Sequence, residues 1–505
     1  MDTSSKSALL KLVLPHVPYL TRTALWHTLY LSPTSTKWDL KTEIIIKLIR
    51  AILSTPSSNG ALHRQQATLK DPGIRGKIWI SKVTFPASEN SGLLHRFYGA
   101  IDELKGSPAD TYTVPTILPV EAEWTGYRLN VDAYRPRPDL SEAQHFQRLM
   151  GDTSTPITLL YFHGGAFVMM DPSSHRQPVS HLCNLTGGRA LSVRYRLSPQ
   201  SAFPAALLDS YIAYLSLLYP PPNSFHEPVK AKHIIFAGDS AGGNLCLALT
   251  QLLLQLNRSA TAGEAFQFQE HTVALPLPLP AGIAGHSPWL DMTHCFPSKW
   301  ANAKYDYLPP PMDSKKLASM PHDSIWPADP PRGDLYCDTS MLCHPLVSPA
   351  AARDWRGAPP LWLAYGEEML VDEGKQVAQL AARQGTTVIW EEWEGMCHCF
   401  GMVLVGSPMS KRFFNDWASF CRTVGGGDNT GAQTQEGSHK EVIEGSPMEI
   451  KTRGTFFEVK TGKEGELDVM ELGALGEEEV LNRMQQCMAK RQMKPEEAAR
   501  SMPKL

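Results

Sequence analysis

No apolar stretch in these 505 residues approaches the roughly 18 needed to cross a bilayer. The opening Met1-Asp-Thr-Ser-Ser-Lys-Ser-Ala-Leu-Leu-Lys-Leu-Val-Leu-Pro15 has neither the long apolar centre nor the small-residue cleavage site of a secretion signal. Charge of one sign is lacking too. A formal net charge of −3 gives no electrostatic reason to bind nucleic acid. Nine cysteines, an odd number without framework spacing, read as reduced thiols. Together these absences predict a cytoplasmic protein with no nucleic-acid partner. In that compartment the sequons at Asn184 and Asn257 are chance matches. The length allows two or three domains.

What is present begins with a helical segment over residues 1–60. From Trp38 to Leu53 the spacing sets Leu40, Ile44, Leu48 and Ile52 on one face, and Leu20, Leu25, Trp26, Leu29 and Tyr30 add an aromatic-rich surface before it. A cap over a pocket competes with an amphipathic anchor on a membrane. The polar side is not strongly basic, which favours the cap and leaves peripheral membrane contact open. From residue 61 to 424 the pattern is that of an α/β domain. Strands are predicted at Lys77–Phe85, Ala122–Tyr127, Ile157–Phe162, from Arg189, at His233–Ala237, from Ala281, at Pro360–Tyr365 and, as the last, Thr387–Trp393. Helices are predicted over Phe203–Leu218, from Asn244, and over Asp372–Arg383, with loops near 135–156 and 258–280 and an irregular stretch at 296–335. Such alternation predicts a mostly parallel sheet with helices on both faces. Residues 425–505 read as a flexible Gly-rich linker and a poorly ordered tail. The tail holds a β-capable piece, Gly454–Val459, and a charged helix, Glu477–Arg491, and is expected to be peripheral to the chemistry.

The chemistry centres on Gly238-Asp239-Ser240-Ala241-Gly242, between an apolar strand and a helix-forming run. This G-x-S-x-G places Ser240 on a sharp strand-to-helix turn, where side chains at Gly238 and Gly242 would collide with neighbours. Amides at the start of the helix, Ala241 first, can hold an oxyanion. His163-Gly164-Gly165-Ala166 follows another buried strand, and its amides can point into a cavity; taken alone it is a simple glycine turn. A serine nucleophile needs a base, and His398 follows the last strand. Its neighbours Cys397 and Cys399 make a poor metal set, because three consecutive residues cannot face one tetrahedral ion. For the acid that orients the base there are four candidates after the penultimate strand: Glu367, Glu368, Asp372 and Glu373.

The pieces His163-Gly-Gly-Ala, Tyr195-Arg-Leu-Ser-Pro with Phe203-Pro-Ala-Ala, Gly238-Asp-Ser-Ala-Gly-Gly, Ser287-Pro-Trp-Leu-Asp, Glu368-Met-Leu-Val-Asp-Glu and Gly395-Met-Cys-His-Cys-Phe stand in one order. In that order residues 155–423 resemble the hormone-sensitive-lipase-like branch of the α/β hydrolases. The resemblance implies an α/β-hydrolase fold with an N-terminal helical cap, and a serine carboxylic-ester hydrolase acting on a small to medium apolar ester. It implies Ser240, Glu368 and His398 as catalytic triad, the acid falling on Glu368, where the family more often has aspartate. It also implies an oxyanion hole of Gly164, Gly165, Ala166 and Ala241, with Ala166 standing where the family has a third glycine. Asp239 and His163 are expected to support the elbow and the glycine loop, and no metal or organic cofactor is required. Acyl transfer from the same serine is the alternative, and a ligand-binding protein without catalysis fits less well, since serine, acid and base are all present. Oligomeric state is not legible.

Overall fold

The computed structural model describes residues 10, 13–54, 60–87, 91–311, 317, 319–329, 332–426, 450–473 and 475–492. Of the linker expected from Gly425, residues 427–449 therefore lie outside the described residues, as do the last thirteen of the chain.

Helices α1 (Val17–Thr28) and α2 (Leu40–Ser54) form where the apolar spacing predicts them, followed by α3 (Ala61–Thr68). The buried face of α2 is not the predicted one. Thr42, Glu43 and Ile46 point inward, whereas Leu40 is exposed and Ile44, Leu48 and Ile52 are half-buried. Glu43 accounts for the rotation. Its carboxylate accepts a hydrogen bond from Ser32 Oγ and lies 2.5 Å from His27 Nδ1. A carboxylate can be buried only with such partners.

Ten strands form one sheet in the order β1-β2-β4-β3-β5-β8-β9-β10-β11-β12. They are β1 (Ile78–Phe85), β2 (Val120–Tyr127), β3 (Thr158–Phe162), β4 (Arg189–Arg194), β5 (Ile234–Asp239), β8 (Gly282–His286), β9 (Leu361–Gly366), β10 (Val388–Trp393), β11 (Arg453–Phe457) and β12 (Glu464–Leu467). A separate hairpin of β6 (Ala265–Phe268) and β7 (His271–Ala274) occupies the stretch predicted as loop at 258–280. From β4 to β11 every neighbouring pair is parallel, and the outer strands β1, β2 and β12 run antiparallel to their neighbours. The central strands β3, β5, β8, β9 and β10 are buried along their whole length, which is why they read as continuous rather than alternating apolar runs.

The remaining helices are α4 (Ser91–Glu103), α5 (Glu142–Gly151), α6 (Pro172–Thr186), α7 (Ala205–Leu218), α8 (Ala241–Arg258), α9 (Ser298–Ala301), α10 (Val371–Arg383), α11 (Phe400–Val403), α12 (Pro408–Gly425) and α13 (Glu477–Gln492). Helix α5 corrects the loop expected near 135–156. A capping box starts it, with Ser141 Oγ accepting from Gln144 N and Gln144 Oε1 accepting from Ser141 N. Two apolar cores cover the two faces of the sheet. One gathers Phe97, Trp124, Leu207, Tyr211 and Leu245, and the other gathers Trp38, Tyr161, Trp362, Phe413 and Trp417.

The sheet does not stop at Trp393, nor does the folded unit stop at residue 424. Strand β11 pairs with β10, Phe457 stacks on Trp393 with ring centroids 4.1 Å apart, and α13 buries Val480 and Met484. The expected peripheral tail thus supplies two strands and a docked helix.

Candidate active site

Five successive parallel strands deliver every candidate piece to one edge, the carboxyl ends of the sheet, where ligand sites of parallel sheets are built. The glycine loop leaves β3, Ser240 leaves β5, Ser287 leaves β8, the acid loop leaves β9 and the base loop leaves β10.

Ser240 sits between β5 and α8 with φ 52° and ψ −118°, a strained conformation for a residue with a side chain. Hydrogen bonds hold it there: Ser240 N donates to His286 O at 3.0 Å, and Trp289 N and Asn244 N donate to Ser240 O, each at 3.0 Å. The flanking glycines are sterically required. A Cβ on Gly242 would lie 1.9 Å from Phe162 O, and one on Gly238 would lie 2.6 Å from the Gly242 backbone.

His398 is buried, and its Nδ1 lies 2.9 Å from Glu368 Oε1. Of the four candidate acids, Glu368 is the one in contact with the imidazole among the described residues. Glu367 accepts from Lys37 Nζ (2.6 Å) and Gly395 N (3.0 Å), Asp372 from Ser298 N (2.8 Å), and Glu373 from Leu290 N (2.7 Å). Burial pushes the Glu368 carboxyl above its ordinary range, against the pull of His398 and of the Ser287 hydroxyl. Burial works to lower the His398 imidazole as well, but the Glu368 carboxylate outweighs it and leaves the ring raised.

The glycine loop differs from expectation at one position. Gly164 N donates to Asp239 Oδ1 at 3.1 Å, so this amide is turned into the elbow's support and not toward the cavity. A side chain there would meet Asp239 Oδ2 at 2.3 Å. Gly165 N, Ala166 N and Ala241 N have no acceptor among the described residues. Positive φ runs through Gly165 (112°), Ala166 (54°) and Phe167 (62°), and the strain is held from outside. Gln65 Nε2 of α3 donates to Val168 O (2.8 Å) and Ser198 O (3.1 Å), and Met170 N donates to Thr68 Oγ1 (2.9 Å).

Asp239 and His163 lie beneath this surface. Asp239 accepts from Tyr161 Oη at 2.7 Å and faces His175 Nε2 at 3.3 Å. Burial alone would raise its carboxyl, but His175 and the Tyr161 hydroxyl hold it below the ordinary range. His163 stacks on Tyr195 at 4.3 Å, its Nδ1 is 2.7 Å from Gly164 O, and burial drives its imidazole down to about 3, so it stays neutral.

Further contributors are not among the predicted site residues. Trp38 Nε1 donates to Gly395 O at 2.5 Å, Asp306 accepts from His398 N at 3.3 Å, and Ser287 bridges the acid and base loops. Nothing in local sequence singles out Trp38 or Asp306; Ser287 stands within the Ser287-Pro-Trp-Leu-Asp piece.

Residues 159–402 match a family model described as the alpha/beta hydrolase fold. An acetyl-hydrolase of Streptomyces hygroscopicus is 33% identical over 270 residues, which span 53% of this chain and 76% of that protein. This chain belongs to the α/β hydrolase family. An esterase of Acinetobacter venetianus is 27% identical over 283 residues, 55% of this chain and 78% of its own. A crystal structure of EstE5 superposes with a TM-score of 0.51 at 22% identity, covering 77% of this chain and all of that one, a likeness of fold. This α/β hydrolase is a serine ester hydrolase of the carboxylesterase type. Among its described residues no helix is long and apolar enough to cross a membrane.

Proposed function

We propose that the enzyme hydrolyses a small to medium apolar carboxylic ester through an acyl intermediate on Ser240. The pairing of His398 Nδ1 with Glu368 Oε1 at 2.9 Å carries this reading, since it leaves Nε2 as the nitrogen able to act as base. In this reading Ser240 Oγ attacks the ester carbonyl as His398 takes its proton, and Glu368 holds the tautomer and offsets the imidazolium charge. Amides of Gly165, Ala166 and Ala241 receive the oxyanion, each worth on the order of a hundredfold in rate. His398 then protonates the leaving alcohol, and water attacks the acyl-serine. Hydrolysis rather than acyl transfer agrees with the names acetyl-hydrolase and esterase borne by its relatives. Turnover of p-nitrophenyl esters of rising acyl length, beside Ser240→Ala, tests it. Serine-dependent release with a preferred length supports the reading, and an active Ser240→Ala enzyme overturns it.

A cytoplasmic enzyme seated on an anionic lipid surface is the second part of the proposal. Leu25, Trp26, Leu29, Tyr30 and Leu31 are between 48% and 74% exposed along α1 and its exit. Arg22 lies on the same helix, its guanidinium over the Tyr19 and Trp26 rings. Exposed aromatic and leucine side chains beside a cation are what an anionic interface recruits. Six of the nine free cysteines are buried, which suits a reducing compartment. Co-sedimentation with phosphatidylcholine vesicles, with and without phosphatidylglycerol, is the test. Binding that needs the anionic lipid and falls in Trp26→Ala/Tyr30→Ala supports the seat, and no binding to either vesicle removes it.

A further inference from the structure

We infer that Asp306 is a positioning residue for the reaction, a single carboxylate that fastens the acid loop to the base loop and sets a second negative charge beside His398. The inference rests on the triad reading above. Asp306 is fully buried in the irregular stretch after α9. Its Oδ1 accepts from Tyr307 N (2.7 Å), Leu308 N (3.2 Å) and His398 N (3.3 Å), and its Oδ2 accepts from Met369 N (3.0 Å). One oxygen thus holds the backbone of the base, and the other holds the residue that follows the acid. The loops leave different strands, β9 and β10, and Ser287 and the Gly395–Glu367 hydrogen bond are further ties between them. A misplacement of about 1 Å between such groups costs on the order of a hundredfold in rate.

The turn that carries Asp306 is itself anchored from the N-terminal helices. The Arg50 guanidinium of α2 donates to Ala303 O (2.7 Å), Lys304 O (3.2 Å) and Asp306 O. Arg50 bonds the backbone, and the Asp306 carboxylate meets amide donors. Arg50 and buried Lys299 also feel the Asp306 charge, and that charge acts on the His398 imidazole as well.

The charged and titratable groups around His398 narrow the field. Glu368 faces it from the acid loop, Asp239 from the end of β5, His286 from the end of β8, and Tyr307 from the Asp306 turn with ring centroids 6.1 Å apart. Cys397 and Cys399 flank it in its own loop, and burial raises both thiols and keeps them neutral. Burial likewise keeps His286 neutral, down to about 3, and Tyr307 protonated. Asp239 is engaged by His175. Glu368 and Asp306 are then the carboxylates that bear most directly on the imidazolium formed during acylation.

The test is the pH profile of p-nitrophenyl butyrate hydrolysis by full-length Asp306→Asn and Arg50→Gln, with active sites counted by a fluorophosphonate label. Asp306→Asn is expected to lose about tenfold or more in kcat per labelled site at little changed KM, since Asp306 touches no substrate. Its acid limb should move down by about half a unit to one unit, because a charge favouring the imidazolium is gone. Arg50→Gln loosens the turn and keeps the carboxylate, so kcat should fall severalfold without a downward move of the acid limb. Asp306→Asn with an unmoved acid limb, whatever its kcat, overturns the inference. If Asp306→Asn does not fold, Arg50→Gln decides: reduced kcat per site supports the inference and wild-type kcat overturns it. Loss of activity in Ser240→Ala tests the triad separately, so the two failures are distinguishable.

Discussion

Ser287 Oγ donates to Glu368 Oε2 at 2.6 Å and accepts from Cys399 N at 3.1 Å, so one hydroxyl at the end of β8 holds the carboxylate and the backbone beside the base. Glu368 is fully buried, and its Oε2 has one further partner, Gly366 N at 3.3 Å. Ser287→Ala leaves a buried carboxylate oxygen short of a donor, at about 1–3 kcal/mol. The expected result is a fall in kcat of about tenfold with KM little changed, read from steady-state kinetics. Wild-type kcat in Ser287→Ala would show that Gly366 N and His398 suffice to hold the acid.

Glu368 and Asp372 separate by kinetics and by pH. Glu368→Gln is expected to cost on the order of a thousandfold in kcat, as an imidazole loses both tautomer and counter-charge. Asp372 caps the first amide of α9, so Asp372→Asn should cost about 1 kcal/mol of stability and little rate. Glu368 also raises His398, against the lowering effect of burial. The base works only when neutral, so wild-type activity falls as pH drops through a midpoint above the ordinary value of about 6.5. In Glu368→Gln the residual activity should persist to lower pH. A greater loss in Asp372→Asn would move the acid to Asp372.

Gly242→Ala tests the packing of the elbow. Its Cβ would lie 1.9 Å from Phe162 O and 2.7 Å from His163 O, both backbone atoms that can yield only by parting the start of α8 from the end of β3. A cost of about 3 kcal/mol or more, or failure to fold, is expected in chemical denaturation. A near-neutral variant would mean that the elbow is looser than drawn.

The central parallel strands and the edge they share were legible because burial on both faces leaves apolar runs, and the elbow because a side chain at Gly238 would meet the backbone of Gly242 four residues on. The positions of Ser240 and His398 in loops after β5 and β10 followed from the apolar runs before them. Glu368 among four carboxylates was not decided by the residues alone, since reach depends on loop geometry; the family pattern picked it. Gly164 as an oxyanion donor failed for a related reason. Its amide faces Asp239, seventy-five residues away, and no local rule sets that direction. Trp38 and Asp306 were invisible, since a buried indole or carboxylate declares its partner only in three dimensions. The buried face of α2 was misread because apolar periodicity ignores the pairing of Glu43 with Ser32 and His27. The part played by β11 escaped because a short strand beyond a Gly-rich stretch gives no sign of where it pairs.

That strand carries the last prediction. Glu394 N donates to Phe457 O at 2.9 Å, and the Trp393–Phe457 stack lies at the exit of β10, five residues before His398. Truncation after Gly426 removes both contacts and turns β10 into an exposed edge, which invites pairing between chains. The expected outcome is a lower melting temperature, more aggregate, and reduced turnover per labelled active site. Phe457→Ala isolates the packing component: it keeps the backbone pairing, removes a buried ring, and should cost about 3 kcal/mol in denaturant unfolding. If the truncated chain melts and turns over as the full one does, β11 is an ornament on a sheet that is complete at β10. If Phe457→Ala alone reproduces most of the loss, the stack on Trp393 is what couples the C-terminal segment to the loop that holds His398.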